Sequence, residues 1–209
     1  MVKVYIPDTM LRCETEVLFL NLGYKVVENP YKADIIVFTG GEDISPAIYC
    51  QKKCPYTYSN LRRDNMEIDL YNEFSNKLFV GICRGAQLLA ALKGGELVQH
   101  IDSPHKSQHE VCYNDEKVMV NSLHHQAIII NNNMKVIMAQ DEKLKGIIYP
   151  MDLGRMVEDS FYCVDMFTQE NAFCVQFHPE LMNVNSRAVK LFNKELKNFI
   201  KERKNKCAG

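Results

Sequence analysis

Residues 81–85 read Gly-Ile-Cys-Arg-Gly, and they stand where an apolar run gives way to a run of helical spacing. A cysteine at such a junction is held on a sharp turn, with small neighbours that let the backbone fold tightly and a substrate approach. The helix that follows directs its positive end at the sulfur, which favours thiolate over thiol and offers N–H groups to a developing oxyanion. A buried structural cysteine beside two turn glycines has the same local sequence, so the turn alone does not decide. A thiol nucleophile also needs a base that takes and returns a proton, and the base needs a third group to fix its tautomer. VQFHPE at 175–180 offers both: His178 follows a strand-like run, Pro179 fixes the turn, and Glu180 is near enough in sequence to orient the imidazole.

The segments that must position Cys83 and His178 alternate in type. VKVYIP at 2–7 reads as a strand, and the run through EVLFLNLGYK has helical spacing with Gly23 as its stop. ADIIVFTGG follows, an unbroken apolar strand over 34–39 of the kind buried on both faces, ending in Gly40 and Gly41. A helix is predicted over 64–77, a buried strand over 77–82, and a helix over 84–95 closed by Gly94 and Gly95. This succession predicts an α/β fold with a mostly parallel central sheet flanked by helices. From about residue 110 the texture changes to short segments, VMVNSL, AIII, KVIMAQ, FYCVDMF and AFCVQF, which predict added β-structure in the C-terminal half. Residues 186–206 form an amphipathic helix with Val189, Phe192, Leu196, Phe199 and Ile200 on the face that packs against the sheet.

With 209 residues, 46% of them hydrophobic, and no low-complexity linker, the expectation is a single domain over 1–209. The formal charge of −1 gives no long-range attraction for a polyanion, which argues against nucleic acid as a partner; KERKNK at 201–206 reads as a solvated tail. No apolar stretch approaches the ~20 residues that span a bilayer. MVKVYIPDT also lacks a signal peptide's succession, so no membrane partner and a cytoplasmic location are expected. The 8 cysteines are scattered, several inside strand-like runs, which fits reduced thiols better than disulfides. Cys50 and Cys54 make half a zinc site with no second pair at matching distance. His100, His105 and His109, with Cys112 nearby, have ligand-like spacing, but a polar loop does not impose convergence, and the chemistry above needs neither metal nor cofactor.

TGGEDISPAIY (39–49), RRDNMEIDLY (62–71), VGICRGAQLLAALKGGELVQ (80–99), VNSLHHQAI (120–128) and CVQFHPE (174–180) occur in an order that resembles the class I glutamine amidotransferase superfamily. That family joins the cysteine of a G-x-C-x-G turn to the His and Glu of a late H-P-E. The resemblance implies a flavodoxin-like three-layer fold. Cys-Arg-Gly at 83–85, with the G-G-x-D-x-S-P pattern and S-L-H-H-Q, is similar to the free-standing γ-glutamyl hydrolases, such as those cleaving γ-glutamyl-aminobutyrate. The compact N-terminus, which reaches TGG by residue 39, is also similar to small stand-alone members from bacteriophages, for which the compartment would be the host cytoplasm.

What the resemblance implies is specific to positions. Cys83 would attack the γ-carbonyl of a γ-glutamyl amide, His178 would protonate the leaving nitrogen, and Glu180 would orient His178. The oxyanion hole would be the backbone N–H groups of Arg84 and Gly41. Gln87 would contact the amino-acid end of the substrate, and Ser122, His124 and His125 would line the same pocket. The Arg84 side chain is left between a substrate carboxylate and a neighbouring Asp or Glu. Loops such as 43–62 and 100–116 would shape the half that receives the amine. The alternative is a glutaminase subunit that passes ammonia to a separate synthetase partner; a homodimer stays open.

Overall fold

The computed structural model describes residues 1–102 and 107–207. In chain order the first half runs β1 (Lys3–Tyr5), α1 (Arg12–Asn21), β2 (Lys25–Val26), β3 (Ile35–Phe38), α2 (Leu61–Glu73), β4 (Leu78–Ile82) and α3 (Arg84–Leu92). Short strands follow: β5 (Leu97–Val98), β6 (His100–Ile101), β7 (Gln108–Tyr113), β8 (Glu116–Asn121), β9 (Ala127–Ile129), β10 (Lys135–Ala139), β11 (Leu144–Ile148) and β12 (Val157–Phe161). The chain closes with β13 (Cys163–Gln169), β14 (Ala172–Val175) and α4 (Arg187–Cys207).

β2, β1, β3, β4 and β14 are neighbours in that order and run parallel. Beyond them β13, β10, β7 and β8 continue the sheet antiparallel, so the added β-structure extends one edge of the parallel half. β12, β11 and β6 form a separate antiparallel sheet.

Side chains alternate across a strand, so Ile35 and Val37 of β3 enter one layer and Ile36 and Phe38 the other. The first layer holds Leu18 and Phe19 of α1 with Val189, Phe192, Leu196 and Phe199 of α4. The second holds Ala86, Leu88, Leu89 and Ala90 of α3, with Ile68 and Tyr71 of α2 packed on it. This is the expected three-layer arrangement, and the apolar face read from 186–206 is the face that packs. Among the described residues no helix is long and apolar enough to cross a membrane.

The boundaries shift for local reasons. α2 starts at Leu61, ahead of the predicted 64, because the Asn60 side chain accepts from the Arg63 amide at 3.2 Å and caps the first turn. α3 stops at Leu92, since Gly94 takes φ 77°, a left-handed conformation that ends a helix. The 100–116 stretch read as a loop contains β6 and β7, and β11 was not anticipated. In β7 the exposed Gln108 and Glu110 alternate with inward Val111 and Tyr113, a weak signal in a polar context.

Candidate active site

Cys83 sits between the end of β4 and the start of α3 with φ 50° and ψ −107°, a conformation that L-residues avoid. Its amide donates to the Val175 carbonyl at 2.7 Å, and its carbonyl accepts from the Gln87 amide at 3.1 Å. Both flanking glycines are sterically required. A Cβ on Gly85 would collide with the Phe38 carbonyl, and one on Gly81 would meet the Ala86 amide. The strained turn therefore exists because β3 and α3 pack closely over two glycines.

His178 follows β14, the strand paired with β4, which carries it to the same end of the sheet as Cys83. Asn121, at the end of β8, holds the His178 backbone from both sides: its Oδ1 accepts from the His178 amide at 2.8 Å, and its Nδ2 donates to the His178 carbonyl at 2.9 Å. The imidazole Nδ1–H donates to Glu180 Oε1 at 2.6 Å. Burial disfavours the imidazolium, but hydrogen bonds to Cys83 and Glu180 and the attraction of both outweigh it, pushing the His178 pKa up to about 10. The expected base is thus a group that holds its proton at neutral pH between the Cys83 sulfur and a carboxylate.

The turn after β3 closes over this pair. Gly40 is in contact with the His178 ring, where a Cβ would overlap the imidazole Cε1. The next residue, Gly41, has φ 146° and packs against the Arg63 guanidinium. Arg63 Nη2 donates to the Thr39 carbonyl, the Thr39 hydroxyl and the Gly40 carbonyl at 3.0, 3.1 and 3.0 Å. The ambiguity over Arg84 is resolved here. Its guanidinium is fully buried and pairs with Asp64 at 2.5 Å and with Glu67, which also accepts from Arg63 Nε at 3.1 Å. Arg63, Asp64 and Glu67 share one face of α2 by the i, i+1, i+4 spacing, so one helix secures both the glycine turn and the start of α3. Burial raises the Asp64 carboxyl above its ordinary range despite Arg84.

Gln87 is brought to Cys83 through Gln176, which the sequence reading did not single out. Gln87 Nε2 donates to Gln176 Oε1 at 3.3 Å, and Gln176 Nε2 lies 3.6 Å from Cys83 Sγ. Ser122 and His124 are buried beside Asn121. His124 Nδ1–H donates to the Gln126 carbonyl at 2.8 Å, and burial pushes its pKa down to about 4. His125 points elsewhere, with its Nε2–H on the Asp43 carboxylate at 2.9 Å. His105 lies outside the described residues. His100 stacks on Tyr56, Cys54 is buried against Thr57, and Cys50 is exposed. Cys13, Cys50, Cys54, Cys83, Cys112, Cys163 and Cys174 are free thiols. Beside Gly41, Met10, Glu42, Asn60, Arg62 and Arg63 border a cavity of about 450 Å³.

Asn121, Arg63 and Gln176 were invisible as site residues because each acts on a group far away in the chain. Their only signal was membership in the quoted motifs.

The Peptidase C26 family model matches residues 30–115. The glutamine amidotransferase-like protein YvdE of Lactococcus lactis is 30% identical over 199 residues, covering 78% of this chain and 77% of that protein. γ-Glutamyl peptidase 4 of Arabidopsis thaliana is 31% identical over 107 residues, covering 50% of this chain and 41% of that protein. A further curated relative is matched over 51% of its length. Among solved structures, a GMP synthase component from Thermoplasma acidophilum superposes with a TM-score of 0.63 at 18% identity, covering 96% of this chain and 92% of that one. At that identity the likeness establishes the fold.

Proposed function

The chain belongs to the glutamine amidotransferase-like family, and on that premise we propose that it hydrolyses a γ-glutamyl amide, glutamine or a γ-glutamyl amine, through a thioester on Cys83. The observation that carries the reading is the unbroken chain from Cys83 through His178 to Glu180, with the nucleophile on a positive-φ turn at a helix N-terminus. The Arabidopsis relative is named for a γ-glutamyl bond, which supports the substrate class.

With the proton on His178, Cys83 attacks the γ-carbonyl as thiolate. The first amide of α3, that of Arg84, has no carbonyl one turn earlier to bond, and together with the Gly41 amide it receives the oxyanion. His178 then gives its proton to the leaving nitrogen, and the amine or ammonia departs. Water enters, gives a proton to His178 and attacks the thioester, and glutamate leaves as the thiolate is regenerated. Glu180 keeps Nδ1 protonated, so Nε2 faces the reacting atoms throughout. Gln87 and Gln176 hold the glutamyl half, and the cavity beside Gly41 receives the amine.

The test is release of glutamate and amine from a panel of γ-glutamyl amides by the purified chain, beside Cys83→Ala. Turnover by the wild type alone, absent in the variant, is expected. A chain inert on every amide until a synthetase is added would replace this reading with that of a glutaminase subunit.

A further inference from the structure

His109, His124 and Asp165 come from β7, the segment after β8, and β13, and their candidate ligand atoms all lie within 4.8 Å of one another. His109 Nε2–H donates to Asp165 Oδ1 at 2.8 Å, and the two imidazoles meet edge to face with centroids 5.9 Å apart. His124 carries the second, independent observation. Its Nδ1–H is fixed on the Gln126 carbonyl, which leaves a lone pair on Nε2, and that atom is buried with no hydrogen-bond partner. The residue is 6% exposed. A buried acceptor with no donor is costly and signals an occupant, either water or an ion.

We propose that His109, His124 and Asp165 form a binding site for a divalent ion of the zinc class, adjacent to the catalytic pocket and separate from the Cys83–His178–Glu180 chain. The donor set is the reason. Two imidazoles and one carboxylate suit zinc(II) with a fourth position left for water, and tetrahedral ligands at ~2.0–2.2 Å from one ion stand roughly 3.3–3.6 Å apart, so the His109–Asp165 pair opens from 2.8 Å as His124 closes on it. A histidine whose other ring nitrogen donates to a backbone carbonyl is also in the tautomer a metal requires. On ion entry His109 releases Nε2 to the metal as its ring proton moves to Nδ1. Its side chain, 11% exposed against 2% for Asp165, marks the side from which the ion arrives.

The consequence is mechanical. The ion ties together β7, β13 and the 121–126 segment, whose first residue, Asn121, holds the backbone of His178. Asp165 is also joined to the pocket through its own carbonyl, which accepts from the Gln176 amide at 2.8 Å. Bound metal would stiffen the wall on which the base and the glutamyl contacts rest.

Chelator-dialysed Cys83→Ala protein, in which the nucleophile cannot capture the ion, is titrated with cobalt(II) and followed by its visible ligand-field bands. One cobalt per chain is expected, displaced by zinc and lacking a thiolate charge-transfer band. His124→Gln and Asp165→Asn should each weaken binding about tenfold or more, while Cys13→Ser and Cys50→Ser leave it unchanged. His109→Gln, at the open side of the cluster, gives the same readout if either buried variant fails to fold. Absence of cobalt uptake, a thiolate band, or undiminished affinity in the ligand variants would overturn the site.

Discussion

Cys83 and His178 reach the same place by different constructions. The cysteine stands on the parallel side, where β3 and β4 are apolar throughout and a buried ionic cluster of Arg63, Arg84, Asp64 and Glu67 locks the loops that meet there. The histidine stands beside the antiparallel extension, held by neutral hydrogen bonds from Asn121 and one carboxylate, with the buried histidine cluster behind it. Charges thus lock the strained backbone on one side, whereas on the other the backbone of the base is held by neutral contacts and a single carboxylate meets its ring. A buried ion pair is rigid because breaking it leaves an uncompensated charge, whereas a neutral hydrogen bond costs less to remake.

If both sides serve one reaction, Cys83→Ala and His178→Ala should each lower kcat about 10⁴-fold or more, because members of a triad act as a unit. Steady-state kinetics in which either variant keeps most of its activity would separate the two sides. The next effect should appear in stability. Glu67→Gln strips Arg63 and Arg84 of a shared partner and should cost about 3–5 kcal/mol, read from urea denaturation; a loss below about 1 kcal/mol would mean that water reaches the cluster. Asn121→Ala, on the neutral side, should cost about 1–3 kcal/mol and lower kcat more than it raises KM, since it loosens the base and not the glutamyl contacts.

The smallest effect is one of pH. His178 titrates near 10 in the folded chain against about 6.5 unfolded. The stability from this shift is complete below about 6.5 and lost as pH rises through about 10. Glu180→Gln removes one cause of the shift, so its destabilisation should be largest near pH 6 and shrink toward pH 10 in thermal melts. A constant difference across that range would mean that Glu180 acts through packing instead of charge.

The parallel side was also the more legible in sequence. β3 and β4 are unbroken apolar runs, and Gly81, Cys83 and Gly85 lie within one short stretch, so local spacing carries most of the information. α4 was readable because one face of 186–206 is continuously apolar. The antiparallel side was not. β5 and β6 are two-residue strands, and β7 is half polar because one of its faces meets solvent. Asn121 meets His178 57 positions later, and His109 joins an aspartate 56 positions away. Pairings of that separation are set by strand order, which no local pattern encodes. Arg84 shows the same limit within the legible half, since α2 had to be placed before its partners were known.

β14 is one of the last strands to be made, yet it lies at the middle of the sheet, between β4 and β13. While the ribosome is still adding the residues after β4, that strand has an apolar edge with no neighbour on one side, and the edge stays open through some ninety further residues of synthesis. The nucleophile's strand is therefore complete long before its seat is. A nascent chain arrested before residue 172 would display β4 to any other extended segment, so chaperone demand and inclusion-body formation should rise steeply for C-terminal truncations that remove β14.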